Sequence, residues 1–162
     1  MNLTKLDNAD FVPCIGKFVR EGHSVTIQVR GFSMRPFVEN ARDKAVIAPC
    51  TSVKRGDAVL AKVEGGRFVL HRVIRVKGDR ITLMGDGNIY GTEHCTISDV
   101  VGKVEAFIRK GRSVPDRTDG FKWKLYSVVW MHLRCVRRWL LAFYRRIWLP
   151  VFRRKDLKYE NQ

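Results

Sequence analysis

The segment from residue 25 to residue 108 consists of short apolar runs, closed one after another by glycine-containing turn signals. In the first run, Val25, Ile27 and Val29 alternate with polar residues, and this period of two is typical of a half-buried strand. Further strand candidates are residues 44–48, 58–63, 67–76, 80–84 and 100–108. Because almost no helical pattern separates these runs, they predict a compact, mostly antiparallel β-domain.

Helical segments are predicted on both sides of this β-domain. Asp10 can cap a helix whose apolar residues recur at helical spacing, and Gly22 ends it. Residues 111–120 are polar and contain proline and glycine, which indicates a linker. The expected parts are therefore an N-terminal helix within residues 1–23, the β-domain within 24–110, the linker, and a basic, Trp/Arg-rich amphipathic helical tail within 121–162.

Residues 121–152 of this tail contain seven Lys or Arg residues, no acidic residue and all four tryptophans of the chain. Their longest uncharged run, Leu125 to Leu133, has nine residues, whereas a membrane-spanning helix needs about 20. Lys and Arg side chains interspersed with Trp, Phe and Leu instead favour a helix lying on an anionic membrane surface. If the tail binds a membrane in this way, a chain ending near Gly120 is expected to stay folded. The alternatives are a helix packed on the β-domain and, least favoured, a nucleic-acid contact.

Charge and cysteine usage bear on partners and compartment. The formal net charge of +15 predicts attraction to an anionic partner. The four cysteines, at residues 14, 50, 95 and 135, have irregular spacing without a zinc-binding pattern, which favours reduced, mostly buried thiols. The N-terminal sequence lacks the apolar core of a secretory signal. Together these features predict a cytoplasmic protein that associates peripherally with a membrane.

Three short motifs carry the candidate chemistry. Ser33 lies in a predicted turn, two residues after Gly31. His71 lies within a predicted strand, and Asp86 lies in a Gly-Asp-Gly turn. Each motif alone is commonly structural: a turn serine, a core histidine or a hairpin turn. Together they supply a hydroxyl, a base that can take its proton and a carboxylate that can orient the imidazole, which is the inventory of an activated serine nucleophile.

The order of these motifs resembles that of the S24/S26 superfamily of signal peptidases and LexA-like autoproteases. The resemblance covers residues 25–104 and rests on five boxes in the family's order: Ser33-Met34-Arg35-Pro36, Gly56-Asp57-Ala58-Val59, His71-Arg72-Val73-Ile74, Gly85-Asp86-Gly87-Asn88 and Val101-Gly102-Lys103-Val104. Where bacterial signal peptidases and LexA have a lysine, this chain has His71, as in the endoplasmic-reticulum and archaeal signal peptidases, which add an aspartate.

The resemblance implies a serine peptidase with Ser33 as nucleophile, His71 as general base and Asp86 as the carboxylate that orients it; Asp79 is the weaker candidate for this third role. The implied fold is the family's single coiled, mostly-β domain, with Ser33 at a groove edge. An extended peptide or leader-bearing precursor would bind along that groove by strand addition. The implied reaction needs no cofactor and no metal ion.

Three departures from the family pattern affect this interpretation. No membrane-spanning segment precedes the serine. Gly31 stands where signal peptidases commonly have a serine, so backbone N–H groups such as that of Ser33 would bind the oxyanion, as in the LexA type. The acidic residues that follow the Gly-Asp box in the endoplasmic-reticulum type are not reproduced, since residues 89–92 are Ile-Tyr-Gly-Thr.

Three other functions are alternatives to a peptidase that cleaves another chain: a repressor, a self-processing protease and a non-catalytic peptide-binding module. Residues 1–23 predict one short helix, which argues against a LexA-like repressor with a helix-turn-helix before its protease domain. A self-processing protease would need a scissile segment, for which residues 110–120 are the candidate. A non-catalytic module that binds peptides at a membrane surface would have no need of both Ser33 and His71.

Overall fold

The computed structural model describes residues 8–133 and 135–150 of the chain. The helices within this part are α1 (Asn8–Arg20), α2 (Phe121–His132) and α3 (Arg137–Phe143). The strands are β1 (Val25–Gln28), β2 (Lys44–Ala48), β3 (Ala58–Lys62), β4 (Phe68–Lys77), β5 (Arg80–Met84), β6 (Glu93–Thr96), β7 (Val100–Ile108) and β8 (Asp116–Arg117). A 3-10 turn (Ile97–Asp99) precedes β7, and a π-helical turn (Tyr144–Trp148) continues α3.

The strands form one antiparallel sheet in the order β1-β2-β7-β3-β4-β5-β6, and β8 pairs with β7. β7 lies between β2 and β3, and its register shifts against both neighbours. Such irregularities bend a sheet and increase its twist. The architecture confirms the predicted fold class, a mostly-β domain with a short N-terminal helix and C-terminal helices.

The strands predicted from the sequence are all present. β6 and β8 were not among the predictions, because both are short and polar: their sequences are Glu-His-Cys-Thr and Asp-Arg. A run of this kind has too few apolar residues to show the period of two. β8 lies within the predicted linker, so this segment is attached to the edge of β7.

Buried apolar side chains form two clusters on the sheet. The first joins α1 to the sheet and contains, among others, Val12, Ile15, Val19, Ala58 and Phe107. The second lies where β3, β4 and β5 meet and contains, among others, Val59, Val73, Ile81 and Leu83. Because successive side chains of a strand point to opposite faces, neighbouring residues of one strand contribute to different clusters.

Helix α2 packs on the β-domain. Its residues Trp123, Ser127 and Trp130 are buried, and their spacing places them on one helical face. The ring centroids of Trp123 and Phe107 are 5.0 Å apart. The packing alternative therefore describes α2, and the tail is divided into two helices between His132 and Arg137.

The sequence also predicts that the tail lies on a membrane surface and does not span the membrane. None of the helices in the described residues is long and apolar enough to cross one. Docking of the tail on a membrane surface stays a prediction, as does the division of the chain into the four expected parts.

The burial of the thiols differs from the expectation. Cys95 is buried and Cys50 is partly buried, but Cys14 and Cys135 are exposed. The prediction of mostly buried thiols is therefore wrong for two of the four cysteines. All four are free.

Two tryptophans of the tail differ in burial, and their substitution tests whether α2 contributes to the stability of the β-domain. Trp123 is 6% exposed, whereas Trp139 is 73% exposed. We expect Trp123→Ala to lower the free energy of unfolding by about 3–5 kcal/mol, since it removes buried area and leaves a cavity. Trp139→Ala should change it by less than about 0.5 kcal/mol. Urea unfolding followed by circular dichroism measures both, and equally small effects would contradict the packed helix.

Candidate active site

The adjacent residues His71 and Arg72 of β4 point to opposite faces of the sheet. The register pairs His71 with Val59 and Arg72 with Ala58, and paired residues of antiparallel strands share a face. Val59 belongs to the second cluster and Ala58 to the first. One face of β4 therefore carries the candidate base, and the other carries a buried cation.

A carboxylate from β6 lies against the His71 ring. Glu93 is on the same face as His71, because Glu93 pairs with Leu83 and Leu83 pairs with Val73. Its Oε2 is 2.7 Å from His71 Nδ1, and its Oε1 accepts a hydrogen bond from Arg67 at 3.1 Å. The contact with Nδ1 is short but poorly aligned for a hydrogen bond, and among the described residues neither atom has another hydrogen-bond partner. His71 Nδ1 and Glu93 Oε2, both buried, therefore interact with each other.

The environment of His71 favours the neutral ring. Burial lowers its pKa below the ordinary value of 6.5, against the negative charges of Glu93 and Asp86, which raise it. His71 is only 4% exposed, so its ring is largely removed from water. Because Glu93 Oε2 lies 2.7 Å from Nδ1, the carboxylate favours the neutral ring with its proton on Nδ1, and Nε2 is then the basic nitrogen.

Ser33 lies on the same face, against the glycine that follows β5. The β4–β5 pairing, continued one residue past its last pair, places Gly85 opposite His71. A Cβ built on Gly85 would lie 3.0 Å from Ser33 Cβ and 2.5 Å from the Ser33 carbonyl oxygen. The Gly87 N–H donates a hydrogen bond to that oxygen at 2.7 Å. Ser33 therefore fills the space that a side chain at position 85 would occupy.

Asp86 lies with Arg72 on the opposite face. The Arg72 Nε and Nη2 atoms donate to Asp86 Oδ1 and Oδ2 at 2.8 and 2.7 Å, and both side chains are 1% exposed. The Tyr126 hydroxyl donates to Oδ2 at 3.1 Å, and Trp130 Nε1 donates to the Asp86 carbonyl at 3.2 Å. The structure thus packs Ser33 on Gly85, opposite His71 in the extended pairing, and places the predicted third carboxylate on an arginine. The catalytic role of Asp86 stays a prediction.

The C-terminal helices are bonded to two loops of the site. Arg137 donates to the carbonyl of Asn88, in the loop after β5, at 3.4 Å. The Tyr144 hydroxyl donates to Oε1 of Glu39, whose Oε2 accepts a hydrogen bond from Arg35 at 2.9 Å. Arg35 belongs to the same box as the serine. The tail therefore contributes to the framework that holds both loops.

Glu93 is the site residue that sequence reasoning missed. It opens β6 and directly follows residues 89–92, which stand where the endoplasmic-reticulum type has acids. The register of β6 on β5 would have identified it, since only that register shows which face it occupies. Asp79, the weaker candidate for the third role, accepts a hydrogen bond from the Ile97 N–H at 3.3 Å. Asp57 of the second box accepts one from the Lys54 N–H, in the turn before β3, at 2.9 Å. Across the described residues, no group of three or more His, Cys, Asp or Glu side chains could hold a metal ion.

Comparison with known proteins agrees with this architecture. The family model described as Peptidase S24-like matches residues 3–105, which include the motifs of Ser33, His71 and Asp86. A search of curated proteins found no match. Because the matched segment is more than half of the chain and the sheet has the expected form, the chain belongs to the Peptidase S24-like family.

Proposed function

We propose that the chain is a serine endopeptidase in which Ser33 is the nucleophile, His71 the general base and Glu93 the carboxylate that orients the imidazole. The observation that supports this proposal is the contact of His71 with Glu93, together with the packing of Ser33 on Gly85. His71 Nδ1 lies 2.7 Å from Glu93 Oε2, and Ser33 is packed over Gly85, opposite His71. Membership of the family supports the class of reaction.

In this mechanism the neutral His71 ring takes the proton of the Ser33 hydroxyl as the oxygen attacks the scissile carbonyl. Glu93 then stabilises the imidazolium, which donates its proton to the leaving amine. Backbone N–H groups such as that of Ser33 bind the oxyanion. No hydrogen bond joins the Ser33 hydroxyl to the His71 ring among the described contacts, so the proposal requires this bond to form when substrate binds.

The sheet offers a place for an extended substrate. β1 is the terminal strand in the sheet order, and within the described residues it pairs only with β2. Its free edge leads along the chain directly to the Ser33 box. A peptide added as a strand to such an edge gains main-chain hydrogen bonds. We therefore propose an extended peptide or leader-bearing precursor as the substrate.

Two alternatives receive less support. Self-processing in the linker would require residues 110–120 to reach Ser33, but Asp116 and Arg117 pair with β7. Asp116 also contacts Arg109 at 2.6 Å and Lys122 at 3.0 Å. A non-catalytic peptide-binding module would gain nothing from a buried histidine held against a partly buried glutamate, since burial of ionisable groups costs stability.

Replacement of the nucleophile tests the proposal directly. We expect Ser33→Ala to lower the rate of peptide cleavage by at least about 10³-fold, because no hydroxyl remains to attack. The control Ser113→Ala changes an exposed serine of the linker and should cleave at the rate of the unchanged protein. Cleavage of a peptide library, read by mass spectrometry, measures both and identifies the preferred bonds. Equal cleavage by Ser33→Ala would refute the assignment.

The two carboxylates are distinguished by substitutions that remove only the charge. We expect Glu93→Gln to lower kcat by about 10²–10⁴-fold with little change in folding, because the imidazolium loses its counter-charge. Asp86→Asn should instead lower the free energy of unfolding by about 3–5 kcal/mol, because Arg72 becomes an uncompensated buried charge. Thermal unfolding and single-turnover kinetics separate the outcomes. A folded Asp86→Asn protein with the larger loss in kcat would restore Asp86 to the catalytic role.

The pH dependence of cleavage follows from the direction of the His71 shift. Because burial lowers the pKa of His71 below 6.5 and the base must be neutral, the rate should stay on its plateau at neutral pH. It should fall only as the pH drops below that value. Glu93 raises this pKa, so the residual activity of Glu93→Gln should have its acid limb at still lower pH. An acid limb centred above 6.5 in the unchanged protein would contradict the buried neutral base.

A further inference from the structure

The helix that ends the described chain exposes large apolar side chains on one side. Trp139 is 73% exposed, Phe143 53% and Ile147 52%. These residues recur every four positions, which places them along one stripe of α3 and the π-helical turn. Large apolar side chains exposed side by side on a folded domain are typical of an interaction surface.

Arginines flank the stripe. Arg138, Arg145 and Arg146 are exposed, and no acidic residue occurs between Asp119 and Asp156. The stripe and these arginines together are called the docking face. Its chemistry is therefore apolar and cationic at once, without a local anion along the same stretch of chain.

The opposite side of this segment is fixed to the domain. Arg137 and Leu141 are 2% and 1% exposed, and the Tyr144 hydroxyl donates to the Glu39 carboxylate. The docking face is consequently held in one orientation before any partner binds. Little ordering entropy then remains to be lost on binding.

We propose that the docking face binds the surface of an anionic lipid membrane. Such a surface satisfies both halves of its chemistry, since acyl chains accept the aromatic bodies and headgroups attract the arginines. A second copy of this chain fits less well, because each copy carries a net charge of +15 and the two repel. Nucleic acid would leave the apolar stripe in water. The proposal concerns binding alone and does not depend on the chemistry at Ser33.

Flotation of the full chain with vesicles tests the proposal. Vesicles of phosphatidylcholine with about 30% phosphatidylserine should carry the protein at about 0.1 M salt, and pure phosphatidylcholine vesicles should carry much less. Salt at about 0.5 M should weaken binding to the anionic vesicles, because it screens the headgroup attraction. Ser33→Ala should float like the unchanged protein, which separates this test from the test of peptidase activity.

Matched substitutions locate the binding surface. Phe143→Ser should lower vesicle affinity by about tenfold or more through lost apolar burial, whereas Phe18→Ser should not, although Phe18 of α1 is 49% exposed and Phe143 53%. The pair Arg145→Gln and Arg146→Gln should lower affinity by about 30-fold, at about 1 kcal/mol for each cation. The exposed arginines at residues 75 and 80, changed to glutamine together, provide the control for net charge.

Three results would overturn the proposal. The first is no flotation with anionic vesicles at low salt. The second is an equal loss of affinity in the docking-face variants and their controls, which would indicate unspecific attraction by net charge. The third is a dimer in gel filtration that Phe143→Ser converts to a monomer without any vesicle binding, which would make a second copy the occupant of the face.

Discussion

The buried pair of Arg72 and Asp86 holds together parts of the chain that are distant in sequence. Taking two charges out of water costs several kcal/mol for each ion unless further hydrogen bonds satisfy them. Here the Gly56 carbonyl and Ser127 accept from the arginine, and Tyr126 donates to the carboxylate. These partners come from the turn before β3 and from α2. Because the loss of any of them exposes or orphans a buried charge, the loop after β5 and the serine packed on it depend on α2.

The sheet carries two ionisable pairs of different character, one on each side of β4. Arg72 stays charged at any relevant pH, so its pair with Asp86 is permanent and suits a structural role. Burial lowers the pKa of His71, and its contact with Glu93 becomes an ion pair only when the ring takes up a proton. A single strand thus separates a fixed charge pair from a titratable one, and the charge of Asp86 acts across the strand by raising the pKa of His71.

Much of the fold could be predicted from the sequence, and the limits have identifiable physical causes. The strands with β-branched residues at alternate positions were recognisable, whereas β6 was not, because Glu-His-Cys-Thr has no apolar alternation. The pairing of Ser33 with His71 in one site is what the family's order of boxes implies, and it stays a prediction. The exchange of Asp86 for Glu93 beside the ring required the register of β5 and β6, which sequence alone does not specify. In the tail, Trp123 and Trp139 have the same chemistry in the sequence, and only tertiary packing buries one and exposes the other.

The absence of a side chain at Gly85 is a requirement of the proposed site. The carbonyl oxygen of Ser33 lies 2.5 Å from where a Cβ of residue 85 would be, so even an alanine there would push the backbone of the serine away. Such a chain would keep Ser33, His71 and Glu93 and still displace the serine from its place on the strand. The proposed site therefore requires a residue without a side chain at position 85, and a search for the nucleophile, base and carboxylate alone would overlook this requirement.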